Sequence, residues 1–252
     1  MRDIEKALQE HKEKVIAAGY FEKQILGIFI YGSQNYGLAT DKSDVDTKAV
    51  LIPTLEQLAL HPIKTRTIEL KNGEHCKIMD IAHLIQNFHK QNINFIEILF
   101  TKYCWVNPFY KDLWDYYFIE QNENIAHYDC YKCLQSIAGQ AIHTLNQNPF
   151  DGKKVGNGLR LYHFLISYLI GENYKDCIVM SGKTRQEILD MKYKILENDT
   201  LAKEMIENFK MLQTLITNPS QVYEEGSQFS KLAIDSKMES GVMEMIRRQE
   251  NG

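Results

Sequence analysis

Apolar and polar positions change their spacing twice along this chain. "RDIEKALQEHKEKVIAAGY" sets Ile4, Leu8, Val15 and Ile16 near one helical face and stops at Gly19. The apolar run of "QILGIFIYG" predicts a buried strand closed by glycine. "DVDTKAVLI" alternates, then turns apolar, and predicts a second strand ended by Pro53. "TRTIELKNGEHCKIMD" carries two alternating runs around Asn72-Gly73, the preferred two-residue hairpin turn. "IAHLIQNFHKQ" has helical spacing, "NINFIEILF" fits either a helix or a strand, and "KYCWV" predicts a short strand.

From Asn107 onward the period becomes helical. "FYKDLWDYYFIEQ", "CYKCLQSIAGQAIHTL", "NGLRLYHFLISYLI", "RQEILDMKYKIL" and "LAKEMIENFKMLQTLI" all repeat apolar positions at three and four residues. The expected fold class is therefore α+β. A mixed-sheet N-terminal domain with flanking helices occupies 1–106, an all-helical domain 107–217, and a polar, partly ordered tail 218–252.

Composition adds boundaries to this picture. The 252 residues, 44% hydrophobic and 25% charged, suffice for a sizeable core. No apolar stretch approaches the roughly 20 residues a membrane helix needs. The charged start has no signal-peptide region, so a cytoplasmic protein without a membrane partner is expected. Five cysteines, an odd number widely spread, do not form a disulfide framework. Cys130-x-x-Cys133 with His127 lacks the four ligands of a structural zinc, so packed helix cysteines are expected. The aromatic cluster "NPFYKDLWDYYF" reads as core packing rather than a base-stacking platform.

The net charge of −4 gives no nucleic-acid footprint for the whole molecule. Charge is nevertheless arranged locally: residues 153–194 carry eight Lys/Arg against four Asp/Glu. That segment is either a solvated helical surface or a basic wall facing a triphosphate or a nucleic-acid backbone.

The chemistry concentrates in "YGSQNYGLATDKSDVDTK", residues 31–48. Asp44 and Asp46 lie two apart on an expected strand, so both carboxylates leave one face. Two carboxylates pointing together repel unless a cation sits between them, and hard oxygen donors suit Mg²⁺. Gly32-Ser33 upstream supplies a turn where backbone N–H groups and a hydroxyl can approach phosphate. A phosphate cradle followed by a metal carboxylate pair is the equipment of phosphoryl or nucleotidyl transfer. A third carboxylate is sought among Glu69, Glu74 and Asp80 around the Asn72-Gly73 hairpin, with helix capping the rival role for Asp80.

This segment resembles the Gly-Ser…Asp-x-Asp signature of the DNA polymerase β-like nucleotidyltransferase superfamily. More narrowly, "GSQNYGLATDKSDVDTK" is similar to the bacterial and phage nucleotidyltransferases associated with RNA repair. Asp80, Asn92 and Glu97 in "MDIAHLIQNFHKQNINFIEILF" continue the resemblance, as do Arg160, Arg185 and Lys192 in the helical part, over roughly residues 25–215. One departure is Gly158, two positions ahead of Arg160, where the family pattern carries a side chain such as histidine. The resemblance implies a transferase moving an NMP from an NTP to an acceptor hydroxyl, with an RNA or tRNA 3′ end as acceptor. It implies two Mg²⁺ ions on Asp44, Asp46 and Asp80. It places nucleotide contacts at Gly32, Ser33, Ser43, Lys48, Arg160, Arg185 and Lys192. The competing expectations are nucleotidylation of a protein or of an aminoglycoside-like small molecule, and a nucleotide-binding module without catalysis.

Overall fold

The computed structural model describes residues 3–70, 72–147, 151–196, 198–216 and 227–251. A helix α1 (Ile4–Ala17) precedes the strands β1 (Ile25–Tyr31) and β2 (Asp46–Leu51). After the short α2 (Leu55–Ala59) come β3 (Arg66–Glu69) and β4 (His75–Asp80), joined by the hairpin around Gly73. Gly73 has a φ of +83°, a left-handed conformation that glycine adopts without strain. Next come α3 (Ile81–His89), α4 (Ile93–Ile96) and β5 (Cys104–Val106). The ambiguous "NINFIEILF" thus resolves into α4 and a following 3₁₀ turn at Glu97–Leu99, with the Asn92 side chain capping α4.

The strands form a mixed five-stranded sheet in the order β3-β4-β2-β1-β5. β2 and β4 run parallel and every other pair is antiparallel. Because paired residues share a face, the register Lys48 opposite Lys77 decides which side chains meet. Asp46, Lys48, Val50, Lys77 and Met79 lie on one face; Thr47, Ala49, Leu51, Cys76, Ile78 and Asp80 lie on the other. Helix α1 covers the second face with Ala7, Leu8 and Val15, whereas Ile16, expected on that stripe, turns outward.

The remaining helices lie on the side of the first face. They are α5 (Lys111–Trp114), α6 (Asn122–Ala126), α7 (Cys130–Leu145), α8 (Gly152–Leu169), α9 (Tyr174–Ile178), α10 (Gly182–Tyr193), α11 (Thr200–Leu215) and α12 (Ser227–Asn251). Of these, α10 and α11 form an outer layer on α7 and α8. The α+β class and the helical C-terminal region agree with the expectation from spacing. One hydrophobic cluster joins Leu26, Phe29, Val50 and Met79 of the sheet to Trp114, Phe164 and Phe209 of the helices, so packing is continuous across residue 106. In the aromatic cluster, Trp114 stacks on Phe118 at 4.8 Å and tilts against Phe29 at 5.1 Å.

The stretch after 218 differs from the expected tail. Residues 217–226 lie outside the described residues, but α12 follows and packs on the core through Ile234, Met238, Met245 and Ile246. Its apolar signal is thin because polar ties supplement it. Arg248 holds Asp112 through two hydrogen bonds of 2.6 and 2.9 Å, and Tyr110 donates to Gln249. Tyr117 donates to Glu244.

Candidate functional site

The Gly-Ser segment leaves β1 as a turn whose conformation is fixed from beneath. Gly32, at φ +86°, donates its backbone N–H to Glu97 Oε2 at 3.1 Å. Asn35 donates to Ile30 O at 2.9 Å and lies 3.4 Å from the same Glu97 oxygen. Glu97 is buried, and its Oε1 lies 3.6 Å from the buried Lys48 ammonium. That ammonium sits 3.3 Å from the centre of the Tyr31 ring. Burial lowers the Lys48 pKa from its ordinary 10.5 to about 8, with Glu97 opposing the shift. Burial, and then Glu97, raise the hydroxyl of Tyr36 well above the usual tyrosine range.

Two of the expected nucleotide contacts are therefore spent inside the fold. Lys48 points into the sheet's helix-covered face, and the Gly32 N–H already has a carboxylate acceptor. Neither lines the cleft described next.

That cleft, about 650 Å³, lies between the Gly-Ser loop and the helices α8 and α10. Ser33, Tyr36, Ser43, Asp44 and Asp46 line one wall; Lys153, Lys154, Asn157, Arg160 and Lys192 line the other. Asp44 is exposed and lies in the loop two residues before β2, not on the strand that the alternation predicts for both aspartates, and it makes no hydrogen bond or ion pair among the described residues. Asp46 accepts from the His75 backbone N–H through Oδ1 at 2.8 Å, and the His75 ring lies 3.4 Å from that oxygen. Behind them, on the other sheet face, buried His11 bridges Thr47 at 2.7 Å and Glu74 at 3.3 Å. Glu74 accepts in turn from Val45 N at 3.3 Å, which fixes the backbone between the two aspartates.

Arg160 is 2% exposed and stacks over the Tyr36 ring at 3.9 Å, while its Nε donates to Asn157 at 2.9 Å. The approach of α8 to α10 depends on glycine. A Cβ at Gly156 would stand 3.1 Å from the Ile188 carbonyl oxygen. At Gly158 it would stand 3.0 Å from the ends of the Leu145 and Met205 side chains, which would have to give way by a few tenths of an ångström. Ser43 Oγ accepts from Thr40 N at 2.9 Å, and Thr40 Oγ1 lies 3.0 Å from the Tyr193 hydroxyl, which ties the loop to α10.

Arg185 does not line the cleft. Its Nε donates to the Gly37 carbonyl at 2.6 Å, so its contribution is to hold the loop. Asp80 also lies elsewhere. It ends β4 opposite Leu51, five residues and so roughly 16 Å along the strand from the level of Asp46 at ~3.3 Å per residue, and on the other sheet face. Its Oδ1 accepts from His83 N at 2.7 Å and caps α3, the competing role weighed for it. Glu74 is on that same far face, and Glu69 is exposed on the edge strand β3. On the Asp46 face, β4 presents Lys77, and the hairpin sends no third carboxylate into the cleft. Asp151 reaches the cleft from the opposite wall, where it caps α8 through Lys154 N and pairs with the Lys154 ammonium at 3.6 Å.

Sequence reasoning assigned no contact to Glu97, His11 or Tyr193. Glu97 had a signal: a lone carboxylate within the apolar "NINFIEILF" must find a buried partner. Elsewhere, Cys133 is buried on α7, and Cys130 lies 3.7 Å from the His127 carbonyl. Neither protein-family models nor curated proteins give a match to this chain.

Proposed function

We propose that the chain is a divalent-metal-dependent nucleotidyltransferase acting in the cleft between the Gly-Ser loop and α8–α10. One juxtaposition carries this reading: Asp44 and Asp46 stand on one wall, facing Arg160, Lys192 and the Lys153-Lys154 pair on the other. The donors fit a hard cation. Asp44 is unpaired among the described residues, and Asp46 keeps Oδ2 free of any hydrogen bond there. Mg²⁺ is usually held by one or two carboxylates, with water and substrate phosphates completing its shell, so Asp44 and Asp46 suffice without Asp80. When bound, the ion supplies Lewis-acid stabilisation of charge on phosphoryl oxygens and favours the ionised form of an attacking hydroxyl.

The chain's own groups do the rest. The cationic wall attracts a triphosphate and neutralises the charge that collects on the leaving pyrophosphate. Arg160, buried and stacked on Tyr36, is oriented before substrate arrives, so little of its freedom is lost on binding. Ser33 offers a hydroxyl to a phosphate oxygen. The acceptor hydroxyl oxygen bonds to the α-phosphorus as the bond to the β-bridging oxygen breaks, and its proton leaves to solvent or phosphate. An RNA 3′ hydroxyl is the acceptor to test first, on the resemblance alone.

Among the described residues none of Glu69, Glu74 and Asp80 lines the cleft, which favours one alternative, a module that binds nucleotide without turnover. One experiment separates the two. Each α-labelled NTP is incubated with the protein, Mg²⁺ and total RNA, protein or small hydroxylic acceptors, and both label transfer and pyrophosphate are measured. Metal-dependent pyrophosphate release with labelled product supports transfer. Saturable nucleotide binding without either product assigns the binding module.

A further inference from the structure

A second cavity, about 590 Å³, lies on the other side of the same loop. The segment after Gly32 alternates between the two spaces: Ser33, Tyr36 and Leu38 face the cleft, whereas Gln34, Asn35 and Gly37 line this cavity. Its body is apolar and aromatic, built from Phe100, Tyr103, Val106, Trp114, Ile119 and Ile178. A volume of this order, with apolar walls and a few polar groups, is that of a small-molecule site.

The polar groups specify the class of occupant. Lys102 and Lys175 are exposed lining residues, and neither forms an ion pair among the described residues. The single carboxylate of the lining, Asp115, is already paired with Lys111. Two ammonium groups outside any ion pair, with that of Lys102 lying 5.1 Å from the centre of the Tyr103 ring, therefore favour an acceptor that carries negative charge. A second, independent feature lies in the same wall. Asp115–Ile119 is a π-helical turn, a rare irregularity frequent at functional sites, and its two end residues both line the cavity.

We infer that this cavity binds a small aromatic anion, with its rings against Phe100 and Tyr103 and its acidic group toward Lys102 and Lys175. The site is distinct from the cleft and does not rest on the transferase reading.

The test uses the full chain and two probes with one ring system, anionic 8-anilinonaphthalene-1-sulfonate and neutral N-phenyl-1-naphthylamine, titrated by fluorescence and calorimetry. The expected result is one saturable site. Lys102→Glu with Lys175→Glu weakens the sulfonate roughly tenfold at low salt and leaves the neutral probe within about twofold. Val179→Trp, at a lining position that is 45% exposed and outside any helix or strand, weakens both probes without loss of fold. Lys192→Glu, in the cleft, changes neither. Absence of saturable binding, equal loss of both probes on charge reversal, or loss of the sulfonate in Lys192→Glu overturns the inference.

Discussion

The Lys48–Glu97 pair offers a quantitative test of how the Gly-Ser loop is held. At 3.6 Å and an effective dielectric near 20, the attraction is roughly 5 kcal/mol, offset by the cost of desolvating both groups. Neither Lys48 Nζ nor Glu97 Oε1 has a hydrogen-bond partner among the described residues, so charge and the Tyr31 ring hold the ammonium. Glu97→Gln keeps a carbonyl oxygen that can accept from Gly32, yet strands a buried ammonium. The expected loss is about 3–5 kcal/mol, and Lys48→Met should lose a similar amount by stranding the carboxylate. The double variant removes both charges and should recover at least about 2 kcal/mol relative to the sum of the singles. Urea unfolding of the four proteins measures this. A single-variant loss below about 1 kcal/mol, or additive losses, would refute the reasoning.

Stability should also depend on pH through this pair. The folded-state pKa of Lys48, about 8, lies below its ordinary 10.5, so between those values the unfolded chain binds more protons. Folding stability therefore rises with pH across that window, by at most about 3 kcal/mol, and is lowest below it, where both forms are charged. Half-buried Tyr31 and Tyr36, whose hydroxyls are held neutral by the fold, act oppositely above the ordinary tyrosine range. Lys48→Met should remove the rise and leave the tyrosine-driven fall.

The other expectations are more direct. Asp44→Asn and Asp46→Asn should abolish labelled-nucleotide transfer with little change in melting temperature, since Asp44 holds nothing and an asparagine in place of Asp46 could still accept from His75 N; normal turnover in both would remove the metal role. Asp80→Ala should cost about 1 kcal/mol through the lost cap of α3 while turnover stays near normal, whereas Asp80→Asn keeps most of the stability. An orders-of-magnitude loss of turnover in Asp80→Asn at unchanged stability would return Asp80 to the site. Lys192→Glu should weaken triphosphate binding at low salt and much less at high salt, and equal affinity at low salt would assign it to the solvated surface. Gly37→Ala should weaken nucleotide binding more than it perturbs the sheet, as judged by titration and by circular dichroism. Its Cβ would stand 2.7 Å from the Met180 carbonyl oxygen, at a φ of +71°; an unchanged affinity would show that the loop can shift freely.

Period and turn chemistry made most of the fold legible. The apolar β1, the alternating β3 and β4 around Asn72-Gly73, and the 3.6-residue spacing of α7, α8 and α11 are local signals, and each element formed where its signal lies. Strand register is not local. The two-residue period puts Glu74, Cys76, Ile78 and Asp80 on one face, but only the pairing of Lys48 with Lys77 sets that face opposite the one bearing Asp46. For the same reason Lys48, a cation two residues after Asp46, reads as a substrate contact until burial shows its partner to be Glu97. Asp80 carried both signals, a helix beginning after it and a strand before it, and the cap is the role its hydrogen bond fills. α12 stayed hidden because its anchors, Arg248 to Asp112 and Asp235 to His89 and Tyr128, are long-range polar contacts without periodicity.

Most charges of the cleft come from two structural sources, with Lys42 on the loop and Asp151 at the start of α8 as the exceptions. The carboxylates are fixed by the sheet: Asp46 by the His75 N–H, and the backbone around Asp44 by the His11–Glu74–Val45 network on the opposite face. The cations Arg160 and Lys192 belong to α8 and α10, packed backbone to backbone at Gly156. The loop that joins these walls is gripped from the helical side at three points. Met180 N donates to Tyr36 O at 2.8 Å, Arg185 Nε donates to Gly37 O, and Thr40 Oγ1 meets the Tyr193 hydroxyl. A Cβ on Gly32 would meet open space, whereas one on Gly37 would strike the Met180 carbonyl. The second glycine, rather than the one in the Gly-Ser pair, therefore sets the separation of the walls. Opposite charges already in place on rigid walls need no closure to meet a triphosphate. On the proposed reading, a shift of this loop would change the separation of the two walls.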